Sequence, residues 1–242
     1  MALVCVAGAS SRAGKTALAV TLLRPLAGRA AAVKFTTTED VFERCPRGTP
    51  CVVCDIEVPF RIVEDPALLR QAGTDTERLT EAGASRVLWV IAKQKAAARA
   101  WAAVRQRLAG SHAVMEGSTV VGLADPDLVL FVAHPFLAVE RWKPTSSALL
   151  QRADAVIVNR PGTERRRPSP AVLAEIRRWR NRDDVRIANV TEPLADWAPD
   201  LADRLLTLVQ HPRTLPGAVR GSLAAAASAP SRTDANLPRS QP

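Results

Sequence analysis

The sequence has no tyrosine, and aromatic residues make up only 4% of its 242 residues. It also has no apolar run of the about 18 residues that a membrane-spanning helix needs. No basic leader precedes the first apolar run, which argues against a secretory signal. We therefore expect a cytoplasmic protein. The hydrophobic content of 47% is sufficient for the packed core of one sizeable α/β domain.

The net charge of +9 would suit a nucleic-acid-binding protein, but the aromatic platforms of such proteins are scarce here. The arginine clusters at residues 165–167 and 177–182 have only Trp179 among them. Arginines occur along the whole chain, whereas lysine is confined to Lys15, Lys34, Lys93, Lys95 and Lys143. We interpret the positive charge as a compositional bias on solvated faces. Neither nucleic acid nor a membrane is an expected partner.

The most informative pattern lies at the start of the chain. Residues 2–7 form a continuous apolar run, which predicts a strand buried on both faces. A loop of small residues follows from Gly8 to Gly14, and Lys15 and Thr16 then open an apolar helical segment. A strand, a glycine-containing loop, Gly-Lys-Thr and a helix together make the phosphate-binding loop of nucleotide hydrolases and kinases.

Each part of this loop has a physical role in phosphate binding. The glycines let backbone N–H groups point inward, and the helix N-terminus and Lys15 supply positive charge. The Thr16 hydroxyl is expected to contact a magnesium ion that bridges the phosphates. The five residues between Gly8 and Gly14 resemble the variant loop of dethiobiotin synthetase and of the cobyrinic acid amidating synthetases. The expected nucleotide-binding residues of this segment are Gly8, Ser10, Ser11, Arg12, Ala13, Gly14, Lys15, Thr16 and Ala17.

Acidic residues follow two further predicted strands, at residues 30–36 and 112–116. Glu39 and Asp40 come shortly after the first, and Glu116 ends the second. Ligands of open α/β sheets gather at the carboxyl ends of the strands, where a carboxylate can hold magnesium or orient a water. The expected magnesium ligands are Thr16, Glu39, Asp40 and Glu116, and the expected catalytic residues are Lys15, Asp40 and Glu116.

Three of the four cysteines, Cys45, Cys51 and Cys54, lie within ten residues, whereas Cys5 lies inside the first strand. In a cytoplasmic chain this clustering favours metal or redox chemistry over disulfides. A closed zinc site needs a fourth ligand, for which Asp55, a partner subunit or a bound substrate are the candidates. An iron–sulfur cluster held by three cysteines, with one open iron, is the alternative.

Asn159 ends another apolar run and stands next to Arg160. This arrangement resembles the base-recognition position of related nucleotide-binding proteins, because an asparagine amide offers both a donor and an acceptor to a purine edge. The aspartate that guanine-specific proteins place two residues after the basic residue is missing, so the choice between GTP and ATP stays open. The alternative role of Asn159 is to cap the following turn.

Two further motifs resemble the molybdopterin-guanine dinucleotide biosynthesis protein B family. One is Lys-Phe-Thr at residues 34–36, and the other is Asp-Thr-Glu-Arg at 75–78, followed by Ala-Gly-Ala at 82–84 and an apolar strand at 86–91. The resemblance implies a GTP-binding protein that assists the attachment of a nucleotide to molybdopterin.

Together these patterns predict an α/β fold, with a mostly parallel sheet flanked by helices in three layers, of the phosphate-loop NTPase type. The domain is expected to cover residues 1–212 and to carry a cysteine-rich loop at 45–54, before a disordered tail at 213–242. The predicted function is a weakly hydrolysing GTP- or ATP-binding accessory protein in the biosynthesis of a molybdenum or other metal cofactor. The alternatives are an ATP-dependent synthetase of the dethiobiotin or cobyrinic acid type and a nucleotide-gated carrier of a metal or an iron–sulfur cluster. The expected partners are the magnesium nucleotide, a metal-cofactor biosynthesis enzyme and a second copy of the chain in a homodimer.

Overall fold

The computed structural model describes residues 1–37, 57–180 and 184–212. The described strands are, in chain order, β1 (Leu3–Gly8), β2 (Ala30–Thr37), β3 (Phe60–Val63), β4 (Val87–Ala92), β5 (His112–Glu116), β6 (Leu128–Ala133), β7 (Ala155–Asn159) and β8 (Val185–Ala188). They form one eight-stranded sheet in the order β3-β4-β2-β5-β1-β6-β7-β8. All neighbouring strands are parallel except β3, which is antiparallel to β4 at one edge.

The central strands are buried on both faces, which explains their continuous apolar runs. In β1, Val4 and Val6 pack into the helical layer on one face, whereas Cys5 and Ala7 pack into the layer on the other. Burial raises the pKa of the Cys5 thiol. Cys5 therefore behaves as a small apolar core residue.

Helices cover both faces of the sheet. The described α-helices are α1 (Lys15–Leu23), α2 (Pro66–Leu69), α3 (Asp75–Glu81), α4 (Ala97–Leu108), α5 (Val121–Ala124), α6 (Ser146–Arg152), α7 (Pro170–Trp179), α8 (Leu194–Trp197) and α9 (Pro199–Gln210). The first layer contains α1, α2, α3, α8 and α9, and the second contains α4 to α7. The predicted three-layer α/β/α fold with a mostly parallel sheet is confirmed.

The parallel register determines which side chains meet at the carboxyl edge of the sheet. Glu116, at the end of β5, lies opposite Val6 of β1 on one side and opposite Lys34 of β2 on the other. The loop between β1 and α1 leaves the same edge. The residues with polar chemistry at the ends of β1, β2 and β5 are therefore brought together by strand pairing.

Several predictions concern parts of the chain outside the described residues. Glu39, Asp40, Cys45, Cys51 and Cys54 all fall between the first and second described ranges. Their proposed ligand roles stay predictions, as does the tail at 213–242. Among the helices that the structure describes, none is both long enough and apolar enough to cross a membrane.

Candidate functional site

The loop after β1 is held in place by backbone hydrogen bonds to neighbouring strands and loops. The Ala9 N–H donates to the Val132 carbonyl at 3.0 Å, and the Ala9 carbonyl accepts from the Lys143 N–H at 2.7 Å. Gly14 then forms the N-cap of α1 in the left-handed region, with φ at +106°. The loop is thus anchored at its start and turned sharply at its end.

Close packing requires glycine at both Gly8 and Gly14. A Cβ on Gly8 would lie 2.8 Å from Cγ of Lys15, and one on Gly14 would lie 2.3 Å from Nδ2 of Asn159. Gly14 also needs its positive φ, which L-residues adopt only with strain. Glycine at position 8 therefore lets the Lys15 side chain pass close to the backbone, and glycine at position 14 lets the start of α1 approach the Asn159 side chain.

Lys15 is folded back onto its own loop. Its Nζ donates to the Ser10 carbonyl at 2.7 Å. Burial lowers the pKa of Lys15 from the usual 10.5 to about 8; Glu116 opposes this shift, and the nearby charges of Lys34 and Lys143 add to it. Among the described residues, no carboxylate forms an ion pair with the half-buried Lys15 ammonium. A phosphate bound beside Lys15 would stabilise its charged form.

A chain of short polar contacts crosses the carboxyl edge of the sheet. The Thr16 hydroxyl donates to Oε2 of Glu116 at 2.8 Å. Lys34 donates to Oε1 of the same carboxylate at 2.6 Å and to Oδ2 of Asp75 at 2.7 Å. The Glu116 side chain is only 2% exposed and that of Lys34 is 14% exposed, whereas that of Asp75 is 44% exposed. α1, β2, β5 and α3 are joined in this way around one buried carboxylate.

The ion pairs determine the protonation states in this chain of contacts. Burial acts to lower the pKa of Lys34, but Glu116 and Asp75 more than offset it, so this pKa is raised. Burial acts to raise the pKa of Asp75, but Lys34 outweighs it, so this pKa is lowered. Lys34 and Asp75 are therefore both charged at neutral pH.

A cavity of about 720 Å³ opens in front of the loop. Its walls are formed by Ser11, Arg12, Gly14, Lys15, Thr16, Ala17, Lys34, Phe35, Thr36, Gly73, Asp75, Arg78, Glu116, Gly117, Ser118 and Lys143. Five of these side chains are cationic and two are carboxylates. Because both carboxylates are already bound to Lys34, the cavity is suited to a polyanionic ligand.

The donor atoms beside the loop fit a magnesium ion. Magnesium prefers oxygen ligands, and proteins hold it through one or two carboxylates together with substrate phosphates. Thr16 and Glu116 supply such oxygens, and the Thr16 hydroxyl donates its proton to Glu116, so its lone pairs stay available to a cation. In the described ranges, no group of three or more His, Cys, Asp or Glu side chains could hold a metal ion by itself. The site therefore fits a cation that arrives with phosphate oxygens.

The predicted site residues fall into three groups. Ser11, Arg12, Gly14, Lys15, Thr16, Ala17 and Glu116 line the cavity. Gly8, Ser10 and Ala13 belong to the same loop but lie behind its surface, and all three are buried. Glu39 and Asp40 lie outside the described part of the chain.

Asn159 contacts the loop from behind. Its Nδ2 donates to the Ala13 carbonyl at 3.3 Å, and its Oδ1 accepts from the Val190 N–H at 3.3 Å. The amide thus joins the loop, the end of β7 and the segment after β8. Its role in base recognition stays a prediction.

Nine other cavity residues were not predicted to act there, namely Lys34, Phe35, Thr36, Gly73, Asp75, Arg78, Gly117, Ser118 and Lys143. The motifs at 34–36 and 75–78 pointed to two of the segments but gave no contact between them. Strand register was the missing signal for Lys34, because it lies opposite Glu116 in the parallel pair. Gly117 is needed because a Cβ there would lie 2.9 Å from the Phe35 carbonyl oxygen.

No family model matches this sequence, and no curated protein matches it either. Among solved structures, the chain is similar to an aspartate-to-alanine variant of McdA from Cyanothece in complex with ATP, with 14% identity and a TM-score of 0.43. The similarity covers 89% of this chain and 98% of the McdA chain. A similarity of this size carries no information on the activity of the present protein.

Proposed function

We propose that this protein binds a purine nucleoside triphosphate together with magnesium and hydrolyses it slowly. The observation that carries the proposal is the contact between Thr16 and Glu116 at 2.8 Å, beside the half-buried Lys15 ammonium and within a cationic cavity. It brings together a hydroxyl from the helix start, a carboxylate from the adjacent strand and a lysine, which are the parts that phosphoryl transfer needs.

Each residue has a role that follows from its position. Lys15 leaves the Ser10 carbonyl and donates to the terminal phosphates instead. The N–H groups at the start of α1 stabilise the same negative charge. Glu116 orients the Thr16 hydroxyl, so that its oxygen faces the cavity. Magnesium, when bound beside Thr16 and Glu116, would neutralise charge that develops on the transferred phosphoryl group.

The proposed biological role is that of an accessory protein in the biosynthesis of a molybdenum or other metal cofactor. It is supported by the residues that resemble the molybdopterin-guanine dinucleotide biosynthesis protein B family. Lys34 and Asp75, which come from its two motifs, are in contact at 2.7 Å in the cavity wall. The two motifs thus serve the same site.

Phosphate release from GTP and ATP tests the proposed hydrolysis. Glu116→Gln keeps the shape of the side chain but removes its charge, so turnover should fall at least about tenfold, with a smaller change in nucleotide affinity. Glu81→Gln is the matched control, because this residue of α3 is exposed and does not line the cavity. Hydrolysis at the parental rate in Glu116→Gln would show that the carboxylate is only structural.

A second candidate function is an ATP-dependent synthetase that activates a carboxylate or a carbamate. Thr36, Arg78 and Ser118 also line the cavity, and their polar groups suit a second, anionic ligand. The longer loop between Gly8 and Gly14 points in the same direction. Phosphate release that requires an added small-molecule acceptor would favour the synthetase, whereas release from nucleotide alone favours the accessory NTPase.

A further inference from the structure

Lys34 occupies the space between the two carboxylates of the cavity. Its Nζ lies 2.6 Å from Oε1 of Glu116 and 2.7 Å from Oδ2 of Asp75. The opposite oxygen of Glu116 accepts from Thr16. The ammonium group is therefore surrounded by two carboxylates, with a hydroxyl bound to one of them, which is the set of oxygen atoms that would attract a divalent cation.

The surrounding charges disfavour a divalent cation in the absence of a nucleotide. The two carboxylates share one internal ammonium, so this cluster carries a single formal negative charge. Lys15, Lys143, Arg12 and Arg78 also line the cavity. From the charges of these described residues, a divalent cation that entered alone would meet a positive field, whereas a triphosphate would reverse the sign of that field.

We propose that Lys34 is an internal counter-ion that holds Glu116 and Asp75 until the nucleotide arrives, so that magnesium binds only together with the triphosphate. This inference rests on the proposed function and concerns its regulation. Cation binding beside Glu116 takes over one carboxylate from Lys34, which keeps its contact with Asp75 at the start of α3. Lys34 is thus a positioning residue, and it makes the order of ligand binding a property of the fold.

The effect of magnesium alone on thermal stability tests this proposal directly. For the wild-type protein without nucleotide, millimolar MgCl₂ should shift Tm by less than about 1 °C. In Lys34→Met the two carboxylates lack their counter-ion, so magnesium should bind at least about tenfold more tightly and raise Tm by about 3 °C or more. Lys34→Arg is the matched control, because it keeps the positive charge and should respond as the wild type does.

A substitution that leaves two buried carboxylates without a partner can prevent folding. In the double variant Lys34→Met with Asp75→Asn, the cluster has the same formal charge as in the wild type. This double variant replaces Lys34→Met in the magnesium experiment if the single variant does not fold. It should also respond to magnesium alone more strongly than the wild type. Equal Tm shifts in the wild type and in the folded Lys34 variant would overturn the proposal.

A titration with GTP and ATP in the presence of magnesium separates this proposal from the proposed function. If the wild type binds nucleotide but magnesium alone stabilises every variant equally, the counter-ion role is wrong and nucleotide binding stands. If no variant and no wild-type sample binds either nucleotide, the proposed function itself fails. A wild-type protein that binds magnesium tightly without nucleotide would contradict the counter-ion role as well.

Discussion

At the scale of single residues, Lys15 carries the charge that the phosphates would meet first. Burial lowers its pKa to about 8, so above that pH most of the free protein holds it as a neutral amine. A bound phosphate favours the ammonium form, so nucleotide binding should take up a proton above pH 8. The pKa of the neighbouring Lys34 is raised, so Lys34 stays charged throughout this window.

The pH dependence of nucleotide affinity is therefore a prediction about Lys15. Affinity should fall about tenfold between pH 7 and pH 9, with uptake of nearly one proton per nucleotide at pH 9. Calorimetric titration in buffers of different ionisation enthalpy measures both quantities. Constant affinity over this range, without proton uptake, would contradict either the lowered pKa of Lys15 in the free protein or its contact with the phosphates.

Asn159 illustrates how one amide can serve either the loop or the base of the nucleotide. Its donor and acceptor both have backbone partners, in Ala13 of the loop and Val190 after β8. We therefore expect Asn159→Ala to weaken GTP and ATP binding by the same factor, about 3- to 10-fold, which is the loss expected from about one hydrogen bond. Competition titrations with GTP and ATP measure the ratio of the two affinities in the wild type and in Asn159→Ala.

Asn189→Ala is the control for this measurement, because within the described part of the chain the Asn189 side chain bonds only to the nearby Thr191 and Glu192. It should leave both affinities unchanged. A selective loss of one nucleotide in Asn159→Ala would instead assign the residue to base recognition.

At the scale of elements, the junction between the loop and α1 depends on Gly14. Its φ of +106° is strained for any L-residue, and an added Cβ would overlap with Asn159 at 2.3 Å. Gly28 has a similar backbone conformation, with φ at +74°, but nothing lies within 4 Å of the position of its Cβ. Substitutions at Gly14 and Gly28 therefore distinguish the effect of backbone strain, which both would have, from the effect of steric overlap, which only Gly14 would have.

Gly28→Ala should lower the free energy of unfolding by about 1–2 kcal/mol, which is the cost of a positive φ for an L-residue. It should leave nucleotide affinity unchanged. Gly14→Ala should be more destabilising and should also weaken nucleotide binding, because the loop must move away from Asn159. Urea denaturation and nucleotide titration of the two variants measure these effects. Equal losses of unfolding free energy and equal nucleotide affinities in the two variants would mean that the contact between Gly14 and Asn159 is unimportant for the loop.

The three contacts that join Thr16, Lys34, Asp75 and Glu116 also show how elements far apart in sequence form one site. Lys34 and Asp75 are separated by 41 residues, and Lys34 and Glu116 by 82. Their meeting depends on the pairing of β2 with β5 and on the packing of α3 against β2. The sequence motifs indicated these segments, but only the register of the strands specifies the ion pairs.

At the scale of the whole molecule, the sequence predicts the sheet well wherever burial is uniform. β1, β4 and β6 are continuous apolar runs because helices cover both of their faces. β3 was not predicted from the sequence, because it has four residues, only one of which is buried. Among the described strands it pairs only with β4, at the edge of the sheet. Its antiparallel direction depends on the path of the chain and not on a local pattern.

The candidate site was predictable to the extent that its chemistry lies in local motifs. Gly14, Lys15 and Thr16 are adjacent in sequence, and Glu116 ends an apolar strand, so each could be found without a structure. Lys143 could not, because it reaches the cavity through the backbone bond between its N–H and the Ala9 carbonyl, which joins the segment before α6 to the loop. Such a contact has no sequence pattern of its own.

We propose that the cavity in front of Lys15 binds a magnesium nucleoside triphosphate. Equilibrium titration of GTP and ATP, with magnesium, into the wild type and Lys15→Ala tests it most directly, with Lys95→Ala as the control for loss of an exposed lysine. We expect saturable binding to the wild type and to Lys95→Ala, and at least about tenfold weaker binding to Lys15→Ala, equivalent to about 1.4 kcal/mol. Equal nucleotide affinity in Lys15→Ala and the wild type, or no binding to the wild type, would contradict it.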